Sequence, residues 1–160
     1  MLLLYPAVVG LIGGIISTCF MTLIEVPSWR KWGLHGVFEW HENQVITIRL
    51  LGLSSSKGKQ KNHFKAIFFF HFLNGTLAGI IFPYIVLFLM YKTSNVFSFS
   101  LLGVIYGIML WIITLAPIHK PITGFSPWNH PLGRLPALAS ISGHLVYGAV
   151  LGLMTVTFIK

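Results

Sequence analysis

The chain has 160 residues, of which 55% are apolar and only 9% are charged, and it carries a net charge of +8. Soluble domains have about 25% charged residues and disordered chains are poorly hydrophobic, so both classes are excluded and an integral membrane protein is indicated. There is no Asp and Cys19 is the single cysteine. These counts exclude an aspartic dyad, an intramolecular disulfide and a cysteine-rich metal site.

Four apolar segments are long enough to cross a bilayer, which takes about 20 residues in a helix. Their bounds are about 2–26, 64–91, 96–118 and 135–159. Pro27 and Pro117 are expected to end the first and third helices, because proline cannot continue a helix. The predicted fold class is therefore all-α: a single transmembrane domain, residues 1–160, built as a polytopic four-transmembrane-helix bundle.

The positive charge is concentrated in two of the connections between the predicted spans. Loops 27–63 and 119–134 hold most of the Lys and Arg residues, whereas the other connection and the termini hold few. By the positive-inside rule, both basic loops face the cytoplasm and both termini lie outside the cell membrane. Topology and contact with anionic lipid account for the charge, so nucleic acid is not an expected partner.

Glycines at helical spacing occur in every predicted span. In a bilayer, small residues four positions apart let helix backbones approach closely, which makes these glycines the predicted packing faces. They predict either a tight bundle or a bundle with one face left for a partner subunit. The helix-packing candidates are Gly10, Gly13, Gly14, Gly75, Gly79, Gly103, Gly107, Gly148 and Gly152.

The sequence also contains an internal similarity between its two halves. The pattern H-x3-G-x3-G begins at His71 in the second span and at His144 in the fourth. In the same alignment Gly13 of the first span falls on Gly103 of the third. A further hypothesis is therefore that the bundle consists of two tandem helical hairpins of the same sense.

Polar groups inside the predicted spans are few, and each is a functional candidate because its burial in lipid is costly. They suggest three functional interpretations: a proton or solute path, a metal site, or a pair of haem ligands. The alternative is a structural role in which they form hydrogen bonds between helices. The intramembrane polar candidates are Glu25, His71, Asn74, His144 and Tyr147.

The first basic loop begins with a segment rich in Trp, Arg and Lys, from Ser28 to Trp40, which is typical of an amphipathic segment at the membrane interface. In a helix, Glu39 and Glu42 fall on one face together with His35. One interpretation is a metal site that the second basic loop completes; the other is an amphipathic helix whose glutamates pair with neighbouring Lys and Arg. The candidate metal ligands are His35, Glu39, His41, Glu42, His119 and His130.

Two glycine-rich patterns carry a resemblance. The first helix contains G-x-x-G-G-x-x-S-T-x-x-M-T from Gly10 to Thr22, and the last contains G-H-L-V-Y-G-A-V-L-G from Gly143 to Gly152. Together they resemble small prokaryotic four-helix membrane proteins of unassigned function. The lysine-rich loops and short linkers are also similar to accessory subunits of archaeal membrane complexes such as copper monooxygenases. Neither resemblance implies any catalytic residue.

The sequence contains no Ser-His-acid set, activated cysteine or nucleotide-binding motif. The predicted function is a non-catalytic membrane subunit that packs through its glycine-rich faces within a larger complex or a homo-oligomer, without a required cofactor. One alternative is a metal or redox protein whose His/Glu site on the cytoplasmic face holds zinc, iron, copper or haem. The other is a small dimeric transporter or channel. The expected partners are the lipid bilayer and other membrane subunits or a second copy.

Overall fold

The structure is a computed structural model that describes residues 4–52, 63–89 and 95–159, and these ranges contain helices and no strands. Residues 53–62 of the first basic loop therefore lie outside the described part. A 3-10 turn, Gly33–Gly36, follows the first helix, and a π-helical segment, Trp111–Leu115, follows the fourth. The helices are α1 (Leu4–Trp32), α2 (Phe38–Leu50), α3 (Phe64–Leu89), α4 (Val96–Leu110), α5 (Ala116–Thr123) and α6 (Leu135–Ile159).

Four helical stretches are long and apolar enough to cross a membrane. They are α1 with the 3-10 turn, α3, α6, and a third span that runs from α4 through the π segment into α5. The predicted all-α, four-helix membrane bundle is confirmed. Large apolar side chains such as Phe88 and Phe97 are exposed on its outer surface, as expected for helices that face lipid.

The two prolines expected to end helices do not do so. α1 continues through Pro27 to Trp32, because transmembrane helices tolerate proline where neighbouring structure satisfies the freed backbone groups. The third span continues past Pro117 to Thr123. Here the proline falls in the first turn of α5, directly after the π segment, where its missing N–H costs little.

The helices pair as two hairpins that lie side by side. α1 packs along α3, α4 packs along α6, and α1 and α6 form the interface between the hairpins. α3 and α4 approach each other at Tyr106, whose hydroxyl donates to the carbonyl oxygen of Ala78 at 2.8 Å. We call the end of the bundle that carries residues 27–63 and 119–134 the loop end, and the opposite end the terminal end.

Glycines form the contacts inside both hairpins. In the first, a Cβ on Gly79 would overlap the backbone of Gly14; in the second, a Cβ on Gly148 would overlap the carbonyl of Gly103. These backbones therefore pack in direct contact, with no room for a methyl group. All the predicted packing glycines contact a neighbouring helix of the same chain, namely Gly10, Gly13, Gly14, Gly75, Gly79, Gly103, Gly107, Gly148 and Gly152.

The two hairpins have equivalent glycine contacts. On α1, however, the equivalent glycine lies one residue away from the one that the alignment of the two sequence halves predicts. Gly14 lies against Gly75 in the first hairpin, as Gly103 lies against Gly148 in the second. Gly14, not Gly13, is thus the counterpart of Gly103, and Gly13 faces α6 instead. Adjacent residues on a helix point about 100° apart, so the sequence pattern does not reveal which of two neighbouring glycines faces which helix.

The terminal end of the bundle is filled by apolar side chains. Phe82 and Val86 of α3 pack with Phe99 of α4 and with Leu151 and Val156 of α6 in one buried cluster. Because no lipid or water enters such a cluster, it separates the terminal end from the polar groups near the loop end.

Candidate functional site

The loop end is covered by α2, which lies against the bundle. α2 packs against α3, α5 and α6. Phe38, Trp40, His41 and Glu42 are all buried by these contacts. Apolar and polar side chains of α2 therefore both point into the protein, and the helix covers the interior near the loop end.

All three carboxylates of the sequence are buried beside a histidine from another helix. The Glu side chains are between 0% and 11% exposed, which removes them almost entirely from solvent. Within the described part of the chain, none of them forms an ion pair with Lys or Arg. The pairs are Glu25 Oε2 with His71 Nε2 (3.7 Å), Glu39 Oε1 with His144 Nδ1 (3.2 Å) and Glu42 Oε1 with His119 Nδ1 (2.8 Å).

Glu39 is held in its ionised form by its neighbours. The hydroxyl of Ser140 donates to Oε1, and the indole N–H of Trp111 donates to the Ser140 oxygen at 3.0 Å. Burial raises the pKa of Glu39, but the hydrogen bond and charge of His144 and the hydroxyl of Ser140 outweigh it, so the pKa lies below its ordinary value. The second oxygen, Oε2, is buried without a hydrogen-bond partner among the described residues.

Glu42 is in the opposite state, although it lies one turn further along α2. Burial, followed by the charge of Glu39, raises the pKa of Glu42 to about 9. At neutral pH its carboxyl is protonated and donates a hydrogen bond to Nδ1 of His119. The two carboxyls thus form a proton acceptor and a proton donor on the same face of one helix, which is how acid–base sites divide their roles.

A cavity of about 370 Å³ lies beneath α2, between α1, α3, α6 and the third span. Glu39 and Glu42 are both part of its wall, so the donor and the acceptor face the same space. Apolar side chains such as Met21, Leu110 and Leu115 form much of the remaining wall. The polar lining consists of Thr18, Glu39, Glu42, Asn43, His71, Asn74, Thr114, His144 and Tyr147.

Four of the five intramembrane polar candidates line this cavity: His71, Asn74, His144 and Tyr147. Glu25 lies behind the wall, fully buried, with its carboxyl beside Glu39 and the indole of Trp40. Neither Glu25 oxygen has a hydrogen-bond partner among the described residues. An ionisable group buried in this way is costly, which favours a functional role over a purely structural one.

The six candidate metal ligands converge at the loop end but divide into two groups, since Glu39 and Glu42 face the cavity. The ring centroids of His41 lie 4.3 Å from His35 and 6.1 Å from His119, and those of His119 and His130 are 6.3 Å apart. Among the described residues, however, no group of three or more His, Cys, Asp or Glu is arranged to hold a metal ion. The metal site therefore stays a prediction: the described residues bring its histidines together in a cluster without the geometry of a ligand set.

Two histidines of the cluster, His41 and His130, are held uncharged at neutral pH. Burial, together with the charges of His35, His119 and His130, lowers the pKa of His41 to about 3. Burial and His35 also lower the pKa of His130. His35 itself is exposed, so the cluster leads from the protein surface at the loop end to His119 beside Glu42.

Several residues of the site are absent from the sequence-based candidates. Thr18, Asn43 and Thr114 line the cavity, and Ser140 and Trp111 orient Glu39. A signal was available for Ser140, which precedes the intramembrane His144 by one helical turn and so shares its face. Thr18 and Thr114 lie in apolar helices and Asn43 in the polar helix α2, and no spacing in the sequence marks any of them.

Comparison of the chain with family models, curated proteins and solved structures returned no match. The resemblances to small prokaryotic membrane proteins and to accessory subunits therefore stay predictions. Any functional conclusion rests on the geometry of the cavity and its carboxylate–histidine pairs.

Proposed function

We propose that this protein binds a small molecule inside the membrane and exchanges protons between that ligand and the aqueous phase at the loop end. The observation that carries the proposal is the pair Glu39 and Glu42, a proton acceptor and a proton donor on the wall of one cavity. Acid–base groups act on a bound molecule when they lie within hydrogen-bonding reach of it, and the cavity provides that position. Among the functions predicted from the sequence, this is closest to the small transporter.

The histidine cluster supports the proposal because its rings lie in a row from His35 to Glu42, and His41 Nδ1 and His119 Nε2 have no hydrogen-bond partner among the described residues. It begins at the exposed ring of His35, continues through His41 and ends at His119, which is hydrogen-bonded to Glu42 at 2.8 Å. Uncharged imidazoles relay protons because one ring nitrogen accepts while the other donates. Under the positive-inside orientation, which stays a prediction, this route opens to the cytoplasm.

The opposite side of the cavity favours exchange with one face over conduction across the membrane. Tyr147 donates its hydroxyl to the carbonyl of Gly75 at 2.6 Å, and Tyr106 does the same to Ala78 at 2.8 Å. Beyond these tyrosines lies the apolar cluster of the terminal end. Protons that enter from the loop end therefore stop at the cavity.

The role of a packing subunit within a larger complex stays a prediction. Its basis in the sequence is the glycine-rich faces, the small share of the chain outside the spans and the lack of a catalytic motif, and of these the glycine-rich faces contact helices of the same chain. The metal and redox alternative lacks a ligand set among the described residues.

Infrared spectroscopy of the protein in lipid nanodiscs tests the proposal without a known ligand. We expect Glu42 to contribute a protonated-carboxyl band at neutral pH that disappears as the pH passes about 9. Glu42→Gln should remove this contribution, and Glu39→Gln should shift its midpoint to lower pH because the charge of Glu39 contributes to the raised pKa. Identical neutral-pH spectra of the wild type and Glu42→Gln would show an ionised Glu42 and contradict the proposal.

A further inference from the structure

The cavity has an opening at its side, between α3 and the third span. The rim consists of Asn74 and Leu77 on α3 and of Thr114 and Ile118 across from them, and all four are exposed and line the cavity. All four also lie inside segments that are apolar enough to span a membrane. The opening therefore faces lipid, and a molecule dissolved in the bilayer can reach the cavity without passing through water.

The depth of the opening supports the same conclusion. Asn74 lies ten residues after the start of α3 at Phe64, or about 15 Å along the helix at 1.5 Å per residue. That distance is about half the thickness of the hydrocarbon core, which is about 30 Å. The opening thus extends from about the middle of the bilayer into the leaflet nearer to the loop end, since Ile118 on the other side of the rim lies only five residues before the end of the third span at Thr123.

The arrangement of polar and apolar walls matches the orientation of a lipid in that leaflet. The carboxyls of Glu39 and Glu42 belong to α2, which covers the loop end. The rim adds the apolar side chains of Leu77 and Ile118 beside Asn74 and Thr114, and Met21, Ala78 and Leu110 supply further apolar wall. A polar head fits against α2, and a hydrocarbon tail leaves the cavity through the rim toward the bilayer interior. An amphiphile in this leaflet already has its head toward the loop end.

The third span is irregular at this opening. Its π-helical segment, Trp111–Leu115, ends at Leu115, whose buried side chain lines the cavity. Thr114, the residue before it, lies on the exposed rim. A π segment replaces the regular hydrogen bonds of a helix with a less stable pattern, and such segments occur frequently at functional sites. Its position supports a binding role for the rim.

The chemistry of the polar wall selects the head group. The lining residues include two carboxyls and two histidines but neither Lys nor Arg among the described residues, so the site disfavours a phosphate. Glu39 lines the cavity, and its Oε1 accepts a hydrogen bond from the hydroxyl of Ser140 and lies 3.2 Å from Nδ1 of His144. A hydroxyl head can donate a further hydrogen bond to this carboxylate without bringing a second charge into the cavity.

We propose that the cavity binds a bilayer-dissolved amphiphile with an uncharged, hydroxyl-bearing head, which enters between α3 and the third span and donates a hydrogen bond to Glu39. The inference names the ligand class for the site described under the proposed function, and it rests on that proposal.

Photo-cross-linking in lipid nanodiscs tests this inference. Three probes share a hydrocarbon tail that ends in a benzophenone and differ in their heads: a hydroxyl, a primary amine and a phosphate. We expect the hydroxyl probe to label peptides at the rim, on α3 around Leu77 and on the third span around Thr114, with the highest yield of the three. An excess of an unlabelled long-chain alcohol should compete for the labelling.

Two variants separate a specific site from ordinary lipid contact. Leu77→Trp fills the rim and should abolish rim labelling, whereas Leu73→Trp, exposed one turn away and outside the lining, should leave it unchanged. Glu39→Gln should lower the yield of the hydroxyl probe by roughly fivefold, the difference between a hydrogen bond to a charged acceptor and one to a neutral acceptor.

Equal labelling by all three probes, unaffected by Leu77→Trp, would mean ordinary lipid contact and would overturn the inference. A preference for the amine or the phosphate would overturn the choice of head group, and absence of rim labelling would overturn the site. The infrared measurement on Glu42 reports proton exchange independently of any probe. If the infrared signal is present and the labelling fails, only the ligand inference fails; the reverse result overturns the proposed function and leaves the ligand site.

Discussion

At the scale of single residues, the buried carboxyls and histidines are not expected to make the bundle more stable. Removing two ionisable groups from water costs more than their mutual attraction returns unless the geometry is very good, and apolar residues of similar size usually serve stability better. Glu25 has no hydrogen bond to either oxygen among the described residues, and its nearest histidine nitrogen is 3.7 Å away. The presence of such a group in the interior agrees with a role in proton exchange.

Glu42 and His41 together predict how stability depends on pH. The unfolded chain loses the Glu42 proton near 4.5, but the folded protein keeps it to about 9, so stability falls as pH rises through that range. For His41 the unfolded chain gains a proton below 6.5, but the folded protein does so only near 3, so stability falls as pH falls through that range. The two effects oppose each other between 4.5 and 6.5. We expect a plateau of thermal stability there and a decline on both sides.

Thermal unfolding in detergent across the pH range checks this expectation. Glu42→Gln should flatten the alkaline decline and leave the acid decline, while His41→Asn should have the converse effect. A maximum of stability above pH 6.5, or an alkaline decline that persists in Glu42→Gln, would contradict the assigned protonation states.

At the scale of helices, the glycine contacts set the distances between α1 and α3 and between α4 and α6. Hydrophobicity does not draw helices together in lipid, so close backbone contact supplies the attraction. The same close contact brings His71 and His144 to the cavity, because each lies on the helix face that carries the glycines of its hairpin. Packing and site geometry are therefore linked in both hairpins.

A matched pair of substitutions tests the role of these contacts. Gly148→Ala places a methyl group against the carbonyl of Gly103, a backbone atom that cannot move independently. We expect the substitution to lower the free energy of unfolding by about 1–3 kcal/mol, as overpacking does. Gly13→Ala meets the end of the flexible Leu151 side chain and should have a much smaller effect. Equal effects in an unfolding titration of the two variants would argue against backbone contact at Gly148.

At the scale of the whole molecule, the two basic connections and the histidine cluster lie at the same end of the bundle. The positive-inside rule predicts that this end is cytoplasmic and that both termini are outside. If so, the proton route from His35 opens to the cytoplasm, and the proposed amphiphile enters from the inner leaflet.

Cysteine labelling of intact cells tests the predicted orientation. In a Cys19→Ser background, Ser94→Cys, in the connection between α3 and α4, should react with a membrane-impermeant maleimide. Ser126→Cys, in the loop before α6, should react only after the membrane is permeabilised. The reverse pattern would place the proton route on the outer face.

The composition and the lengths of the apolar segments were enough to predict the number of spans, because transfer into lipid is a sum over neighbouring residues. The prediction that prolines end helices was wrong at Pro27 and Pro117, because that rule ignores the surrounding structure. The polar residues inside the spans could be identified as candidates because burying such groups in lipid is costly. Two of them, His71 and His144, line a common cavity. The pairing of His144 with Glu39 did not follow from the sequence, because Glu39 and Glu42 are predicted with the loop histidines as metal ligands.

Local composition alone is enough to establish the class of protein, the number of spans and the small set of ionisable groups that are costly to bury. Only the tertiary structure decided that Glu39 faces His144, that Glu42 faces His119 and that both line one cavity. It also decided which of two adjacent glycines, Gly13 or Gly14, joins α1 to α3. These contacts depend on how each helix is rotated about its axis and where α2 lies against the bundle, and that information resides in packing between residues far apart in the chain.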